Sequence, residues 1–563
     1  MIANSRYWTY IALILLVYIA GMGVALMEND SAQFAVMAMR MVQENDFLNL
    51  FKGPEEYLDK PHMHYWLAAL SFKLFGIHDW AYRIPGILAT LLAAYSSFGL
   101  GKLLYNREVG RLAALIFMTA QTIVLATIDV RTDAVLTGFA IFSIWQLATY
   151  IERGTLKNIL LGALGAGLAF STKGQIALVV IGIALLCHLA HTRKWKVLFN
   201  WRVLAALLVF GLAISPMLYA YYQQFDLHPE KVIRGRDHRS GIFFIFWEQS
   251  FERMSGEGMG KNSSDFFFFF HTFLWVFLPW TVPALLGYWE RLKDLLRNRF
   301  AKVPKREFLT FGGISILFLL ISFAQFKLPH YMNILIPLYA LLTAAYFHGL
   351  FQGGNPGLTK KILWIQYVIL GLVVVFSGAI CLYVFPLEQW YAHLLWLMAL
   401  ALVGYLSFSG QGPRSRIIGV SVCASLLLNG LLNLHFYPEL LKYQGGSALA
   451  DRVEAQGIPV DRIYKISERH SWALDFYNRS PVRISTPAEL RGKGDVWVYA
   501  TDGELEVLKG QGFQWKEQIT VDHFRITRLQ LAFLRPDTRG EKLERQHLVR
   551  LVQSKDSNLG FLK

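Results

Sequence analysis

Cysteine is nearly missing from this chain: Cys187, Cys381 and Cys423 are its full complement, each inside a hydrophobic run and none in a CxxC pair. That excludes a disulfide framework and a thiolate metal site, and leaves redox chemistry without its usual residues. Charge is scarce as well, at 17% of 563 residues, and acids (40) are outnumbered by bases (55). The formal net charge of +15 would suit nucleic acid. Most of the bases, however, fall in short connections between hydrophobic runs, so the excess is read as membrane topology and no nucleic-acid partner is expected.

What the chain has in quantity is apolar surface: 54% hydrophobic and 15% aromatic residues. It reads as an α-helical polytopic membrane protein, because a run of roughly 20 apolar residues crosses a ~30 Å hydrocarbon layer as a helix. Such windows fall at 8–27, 81–105, 112–128, 134–150, 158–172, 175–190, 203–222, 271–289, 307–326, 331–350, 362–385, 388–409 and 416–436, about thirteen spans. The first, from Trp8, is too long for a signal-peptide core and is expected to stay as a signal anchor. With the N-terminus cytoplasmic, the connections at Arg107/Arg111, Arg153/Lys157, Arg193 to Arg202, Arg291 to Arg306, Lys360/Lys361 and Arg414/Arg416 all lie inside. Loop 28–80, the turn at Arg131-Thr132-Asp133, loop 223–270 and the turn at Lys327-Leu328-Pro329-His330 then share the outer face.

Residues 1–436 form the expected transmembrane domain and 437–563 a soluble α/β domain on the outer, periplasmic side, where helix-like and strand-like stretches alternate. The expected strands are 462–467, 482–485, 495–500, 513–521 and 525–534; Ser447 is the expected cap of the first helix, and the last twenty or so residues are polar and expected to fray. No Gly-rich phosphate fingerprint occurs there, so the domain is read as accessory. Within loop 28–80, Ser31 to Glu44 and His64 to Phe75 have the spacing of short amphipathic helices lying in the interface plane.

Several residues on the outer face carry chemistry. Asp30 follows the first span, where partial desolvation suits a general base; it suits equally the N-cap of the helix that follows. Asp59-Lys60-Pro61 joins an acid, a base and a rigid bend, so Asp59 could share Mg²⁺ or Mn²⁺ with Asp30, or the pair could sit in a plain solvated turn. Asp133 begins a span and is either a site residue or the partner of Arg131. Lys173 and Lys327 interrupt hydrophobic stretches; singly each could snorkel, and together they suggest a phosphate cradle. Loop 223–270, with bases, glycines and the stretch Phe246-Trp247-Glu248 to Arg253, suits a mobile lid or a loop resting on headgroups.

In order and spacing these segments resemble the GT-C superfamily of polyprenyl-phosphate-sugar glycosyltransferases. The resemblance is strongest to the bacterial branch of the lipid A aminoarabinose transferases and to relatives of the dolichyl-phosphate-mannose protein mannosyltransferases. Asp30-Ser31-Ala32-Gln33-Phe34-Ala35 looks like the family's Asp-Glu-Ala-Gln-Tyr-Ala motif and Asp59-Lys60-Pro61 like its Glu-Lys-Pro motif. Arg83-Ile84-Pro85, Arg131-Thr132-Asp133, the stretch Gly167 to Gly174, Phe246 to Arg253, Leu278-Pro279-Trp280 and Lys327-Leu328-Pro329-x-Tyr331 correspond further along.

The resemblance implies an inverting transfer from an undecaprenyl- or dolichyl-phosphate sugar to a glycolipid, glycan or protein acceptor at the outer face of the bacterial inner membrane. Asp30 and Asp133 would be catalytic; Lys60, Arg83, Lys173, Arg253, Lys327 and Tyr331 would surround the donor phosphate, with Glu248 a further site residue. A divalent metal (Mg, Mn or Zn) on Asp30 and Asp59 is the one cofactor to test. Ser31 stands where the family has a second acid and Asp59 where it has Glu, so a metal-free mechanism stays open. The rival classes are a lipid or polysaccharide transporter and a non-catalytic lipid-binding subunit. Transporters more often set charges at the midplane within internal repeats, whereas here charges gather at one interface.

Overall fold

Hydrocarbon leaves a bare peptide group unbonded, so a chain this apolar must satisfy its backbone along itself, and the computed structural model is accordingly helical through the hydrophobic region. It describes residues 3–255, 265–299, 307–409, 412–469 and 471–552, without the side chain of Arg253. Among these, nine helices are long and apolar enough to span a membrane. The first is α1 (Asn4–Met22). The windows 112–128, 158–172, 271–289 and 307–326 fall on helices that are shorter, interrupted or less apolar, such as Phe268–Val276 followed by Thr281–Arg297.

Small residues bring the helices together, as dispersion and close backbone contact must where lipid supplies little hydrophobic drive. A Cβ on Gly138 would stand 2.6 Å from the Ala89 carbonyl oxygen, so glycine is required where the Asp79–Leu104 and Thr132–Arg153 helices cross. The helices Pro356–Val384 and Trp390–Phe408 bury little of their surface within the chain and are free to face lipid.

The loop after α1 forms the two short helices its periodicity predicts, α2 (Asp30–Gln43) and α3 (Met63–Phe75), joined through a small hairpin of β1 (Phe51–Lys52) and β2 (Glu55–Glu56). Phe34, Met37, Met41, Tyr65 and Phe72 make a core of their own beside the bundle. Burial holds His62 and His64 at pKa values of about 4, so both are neutral packing groups.

Beyond the last span lies a five-stranded mixed sheet, β3 (Ile463–Lys465), β4 (Arg483–Ile484), β5 (Trp497–Thr501), β6 (Gln514–His523) and β7 (Glu544–Val552), in the order β4-β3-β5-β7-β6. The β4-β3-β5 half is parallel and β5-β7-β6 antiparallel. Three expectations are corrected. Segment 525–534 is no strand: it turns through Ile526–Arg528 and the short helix Leu531–Leu534, because Phe533 folds back to stack on Phe524 at 3.8 Å. Residues 544–552 do not fray but form a central strand, whose buried middle, Gln546 to Val549, is masked in sequence by Glu544, Arg545 and Arg550. Ser447 is not the cap; the helix runs Gly445–Ala455. A Cβ on Gly445 would stand 2.9 Å from Cδ of Gln546, so the chain enters this helix in close backbone contact with the sheet.

The sheet region docks on α2 and α3 through Trp472 and Phe476. The Glu28 carboxylate accepts from the backbone N–H groups of Trp472 (2.6 Å) and Ala473 (3.2 Å). Burial raises its pKa to about 7, opposed by those two hydrogen bonds and reinforced by nearby Asp475. A raised carboxyl pKa favours the protonated folded form, so the stabilisation is complete below the unfolded value and is lost as pH rises through about 7. Limited proteolysis between helix Trp472–Tyr477 and β4 is therefore predicted to quicken as pH rises from about 4.5 to about 7 and to level off above that, and Glu28→Gln to flatten that dependence.

Candidate active site

Helix termini build the site. The Thr132–Arg153 helix places Asp133 in its first turn, and the Leu156–Lys173 helix ends on Lys173 because Gly174 takes φ +73°, a conformation that stops the helix there. A lysine suits the negative end of a helix dipole and an aspartate the positive end. The two side chains meet: Lys173 Nζ donates to Asp133 Oδ1 at 2.6 Å, both almost fully buried. His330, from the turn after Lys327, stands 3.7 Å from the other Asp133 oxygen. The alternative Arg131–Asp133 pairing is not what forms.

Arg131 instead faces α2. Its Nη1 donates to Asp30 Oδ2 at 2.6 Å, its Nε to Asp129 Oδ2 at 2.9 Å, and His330 Nδ1 lies 3.4 Å away. Burial alone would lower its pKa, but Asp129 and Asp30 hold the guanidinium above its ordinary value. Asp30 is thus the first residue of α2 without capping it; the N-cap position is Asn29, and no side-chain cap bond forms there.

Asp30, Arg131, Asp133, Lys173 and His330 line one cavity of about 220 Å³ together with Gln33, Lys52, Tyr57, Asp59, Lys60 and Tyr331. Asp133, Lys173, Phe326 and Tyr331 also line a second, apolar cavity of about 300 Å³, walled by Ile176, Val179, Leu317, Leu320, Phe251 and Met254. Lys173 lies 4.7 Å over the Tyr331 ring at the junction. A charged chamber therefore opens directly onto an apolar groove, the pairing that an anionic headgroup on an isoprenoid tail requires.

Three of the expected phosphate residues, Lys60, Lys173 and Tyr331, come together with the two expected catalytic acids, Asp30 and Asp133, and two others, Arg83 and Lys327, do not. Arg83 is fully buried and gives its guanidinium to the carbonyls of Ile128 (3.0 Å), Met22 (3.1 Å) and Ala25 (3.2 Å), so it staples α1 and its loop to the bundle and does not line the chamber. Lys327 turns away between Phe326 and Leu328, which do line the chamber, and donates to the Asp265 carbonyl at 2.8 Å. Glu248 accepts from Arg239 at 3.0 Å, within the second loop. The Arg253 side chain and the glycines at 256, 258 and 260 lie outside the described residues. The described part of that loop is fastened to the first: Arg234 pairs with Asp59 and Glu252, Lys231 with Glu56 at 2.6 Å, and Gln249 donates to the Asp59 carbonyl at 2.6 Å.

The donor set does not fit a divalent ion shared by Asp30 and Asp59. Each carboxylate is answered by a guanidinium, Arg131 or Arg234, and no group of three His, Cys, Asp or Glu side chains converges among the described residues. Gln33, Lys52, Tyr57 and His330 were not among the expected site residues. Gln33 had a signal in the Asp30 to Ala35 motif, and His330 in its place directly after the Lys327-Leu328-Pro329 turn.

Residues 59–219 match the family described as dolichyl-phosphate-mannose-protein mannosyltransferase. Over the whole chain the structure is similar to that of ArnT from Cupriavidus metallidurans bound to undecaprenyl phosphate, with TM-score 0.72 at 16% identity and coverage of 97% of this chain and 98% of that one. The fold is that of this ArnT structure, a helical membrane bundle with a small C-terminal sheet region. In sequence, the chain is 27% identical over 443 residues to the undecaprenyl phosphate-alpha-4-amino-4-deoxy-L-arabinose arabinosyl transferase of Edwardsiella ictaluri, spanning 77% of this chain and 72% of the relative. It is 24% identical over 523 residues to arabinosyl transferase 2 of the same description from Proteus mirabilis, with 87% of each chain covered.

Removing one member of a buried ion pair strands the other charge. Lys173→Met and Asp133→Asn are each predicted to destabilise the protein by about 3–5 kcal/mol, and the double variant by less than the sum, as read in a thermal-unfolding double-mutant cycle.

Proposed function

We propose that this chain is an inverting glycosyltransferase of the inner membrane that moves a sugar from undecaprenyl phosphate to a lipid A-like acceptor. The observation that carries the reading is the charged chamber sharing Lys173, Asp133 and Tyr331 with an apolar groove. A lipid-phosphate sugar lays its isoprenoid along the groove and its phosphate among Lys60, Lys173 and Tyr331. The similarity to the aminoarabinosyl transferases supports the same donor carrier and acceptor type. The basic short connections support a cytoplasmic N-terminus, which sets the chamber and the C-terminal sheet on the periplasmic side.

In the reaction the acceptor oxygen attacks the anomeric carbon from the face opposite the phosphate, and the carbon–oxygen bond to the polyprenyl phosphate breaks with its electron pair on the phosphate. Ammonium groups at Lys60 and Lys173 meet the charge that develops there. Lys173 is held in place by Asp133, which aims it at the chamber. Asp30, oriented by Arg131, takes the proton of an acceptor hydroxyl; with an acceptor phosphate, already ionised, it orients the nucleophile. No step requires a metal.

Asp30→Asn is predicted to lower kcat by about 10²–10⁴-fold in a purified assay supplied with polyprenyl-phosphate sugar, with the protein still folded. Full activity in that variant would overturn the assignment of Asp30. Lys60→Ala is predicted to raise KM for the donor more than for the acceptor, as steady-state kinetics with each substrate varied would read.

A further inference from the structure

The segment joining α1 to α2, Gly23 to Asn29, is seven residues long and leads directly into Asp30. From below, Arg83 holds its Met22 and Ala25 carbonyls. From above, the C-terminal region binds Leu26, Glu28 and Asn29. The Leu26 N–H donates to the Tyr477 hydroxyl at 2.8 Å, and the Leu26 carbonyl accepts from Gln444 Nε2 at 2.9 Å. Gln444 Oε1 in turn accepts from the Glu28 N–H at 2.7 Å, so one side-chain amide grips the loop as a neighbouring strand would. The Glu28 carboxylate receives the N–H groups of Trp472 and Ala473, and the Asn29 amide donates to Thr527 at 3.0 Å.

Asn29 has φ 74° and ψ −125°, a backbone conformation that costs a non-glycine residue of order 1–3 kcal/mol and persists only where the surroundings impose it. This turn starts α2 at Asp30 and presents its carboxylate to Arg131. Simple docking of the sheet region needs only the apolar contacts of Trp472 and Phe476. The polar contacts are concentrated on the residues directly before Asp30.

We propose that the C-terminal region is a positioning element of the active site, setting the Asp30 carboxylate through the loop 24–29, with Glu28 the principal positioning residue. The proposal rests on Asp30 as a catalytic residue. A shift of about 1 Å in a reacting group is enough to cost on the order of a hundredfold in rate, and a loop held by hydrogen bonds on both sides denies Asp30 that freedom.

The test uses the full chain. Glu28→Ala is expected to lower kcat on the order of tenfold or more, with KM for an undecaprenyl-phosphate sugar changed less than about twofold, because Lys60 and Lys173 are untouched. Glu28→Gln, which keeps an oxygen for the Trp472 N–H, is expected to recover most of the rate. Deuterium exchange over residues 24–34 rises in Glu28→Ala and stays near wild type in Glu28→Gln. That readout needs no turnover, so a wild-type protein that transfers no sugar would sink the proposed function while leaving the positioning question answered by exchange. If Glu28→Ala does not accumulate folded, Tyr477→Phe, which leaves the Leu26 N–H without its acceptor, is read for the same two quantities. Unchanged kcat, a loss confined to KM, an equal loss in Glu28→Gln, or unchanged exchange over 24–34 would each overturn the proposal.

Discussion

The structure depends on keeping charge ionised at the edge of a low-dielectric bundle. Asp133 and Lys173 lie on neighbouring helices with almost no solvent, and each is tolerable only because the other is 2.6 Å away. The same constraint governs Arg131, which answers Asp30 and Asp129 at once. Charges alternate in sign around the chamber, so a fresh anion arriving there meets cations already desolvated and fixed. Preorganisation of this kind is worth more than the same groups in water, because little must rearrange when charge develops.

The chamber and the groove share a wall, and that wall is where polarity changes. Lys173 and Tyr331 serve both, one by its ammonium and the other by its ring and hydroxyl. A ligand with only an anionic head fills half of this space and a hydrocarbon chain the other half; selectivity for a molecule with both follows from geometry. The second loop contributes Phe251 and Met254 to the groove while Arg234 and Gln249 tie it to Asp59, beside Lys60. The two halves are therefore mechanically joined.

Much of this was legible from sequence, for stated reasons. Spans announce themselves by length and hydropathy, and α2 and α3 by the 3.6-residue recurrence of Phe34, Met37, Ala38 and Met41. Asp30, Asp59, Lys60, Asp133 and Lys173 stood out as charges where charge is expensive, and the fold collects all five in one chamber. The same logic misplaced Arg83 and Lys327, because expense identifies a buried cation without saying which acceptor compensates it: both found backbone carbonyls. Partner choice is a long-range matter, as between Arg131 and Asp30, 101 residues apart. In β7 the failure was of another kind. Charged residues at its ends obscured a strand that is covered only in its middle.

The place of β7 has an implication for biogenesis. It lies between β5 and β6, hydrogen-bonded to both, yet it follows both of them in the chain and so leaves the ribosome after them. Until residue 544 emerges, the sheet is two separate fragments, and the membrane helices have long since been inserted. A chain interrupted before residue 544 would thus carry every helix of the bundle but an unassembled sheet.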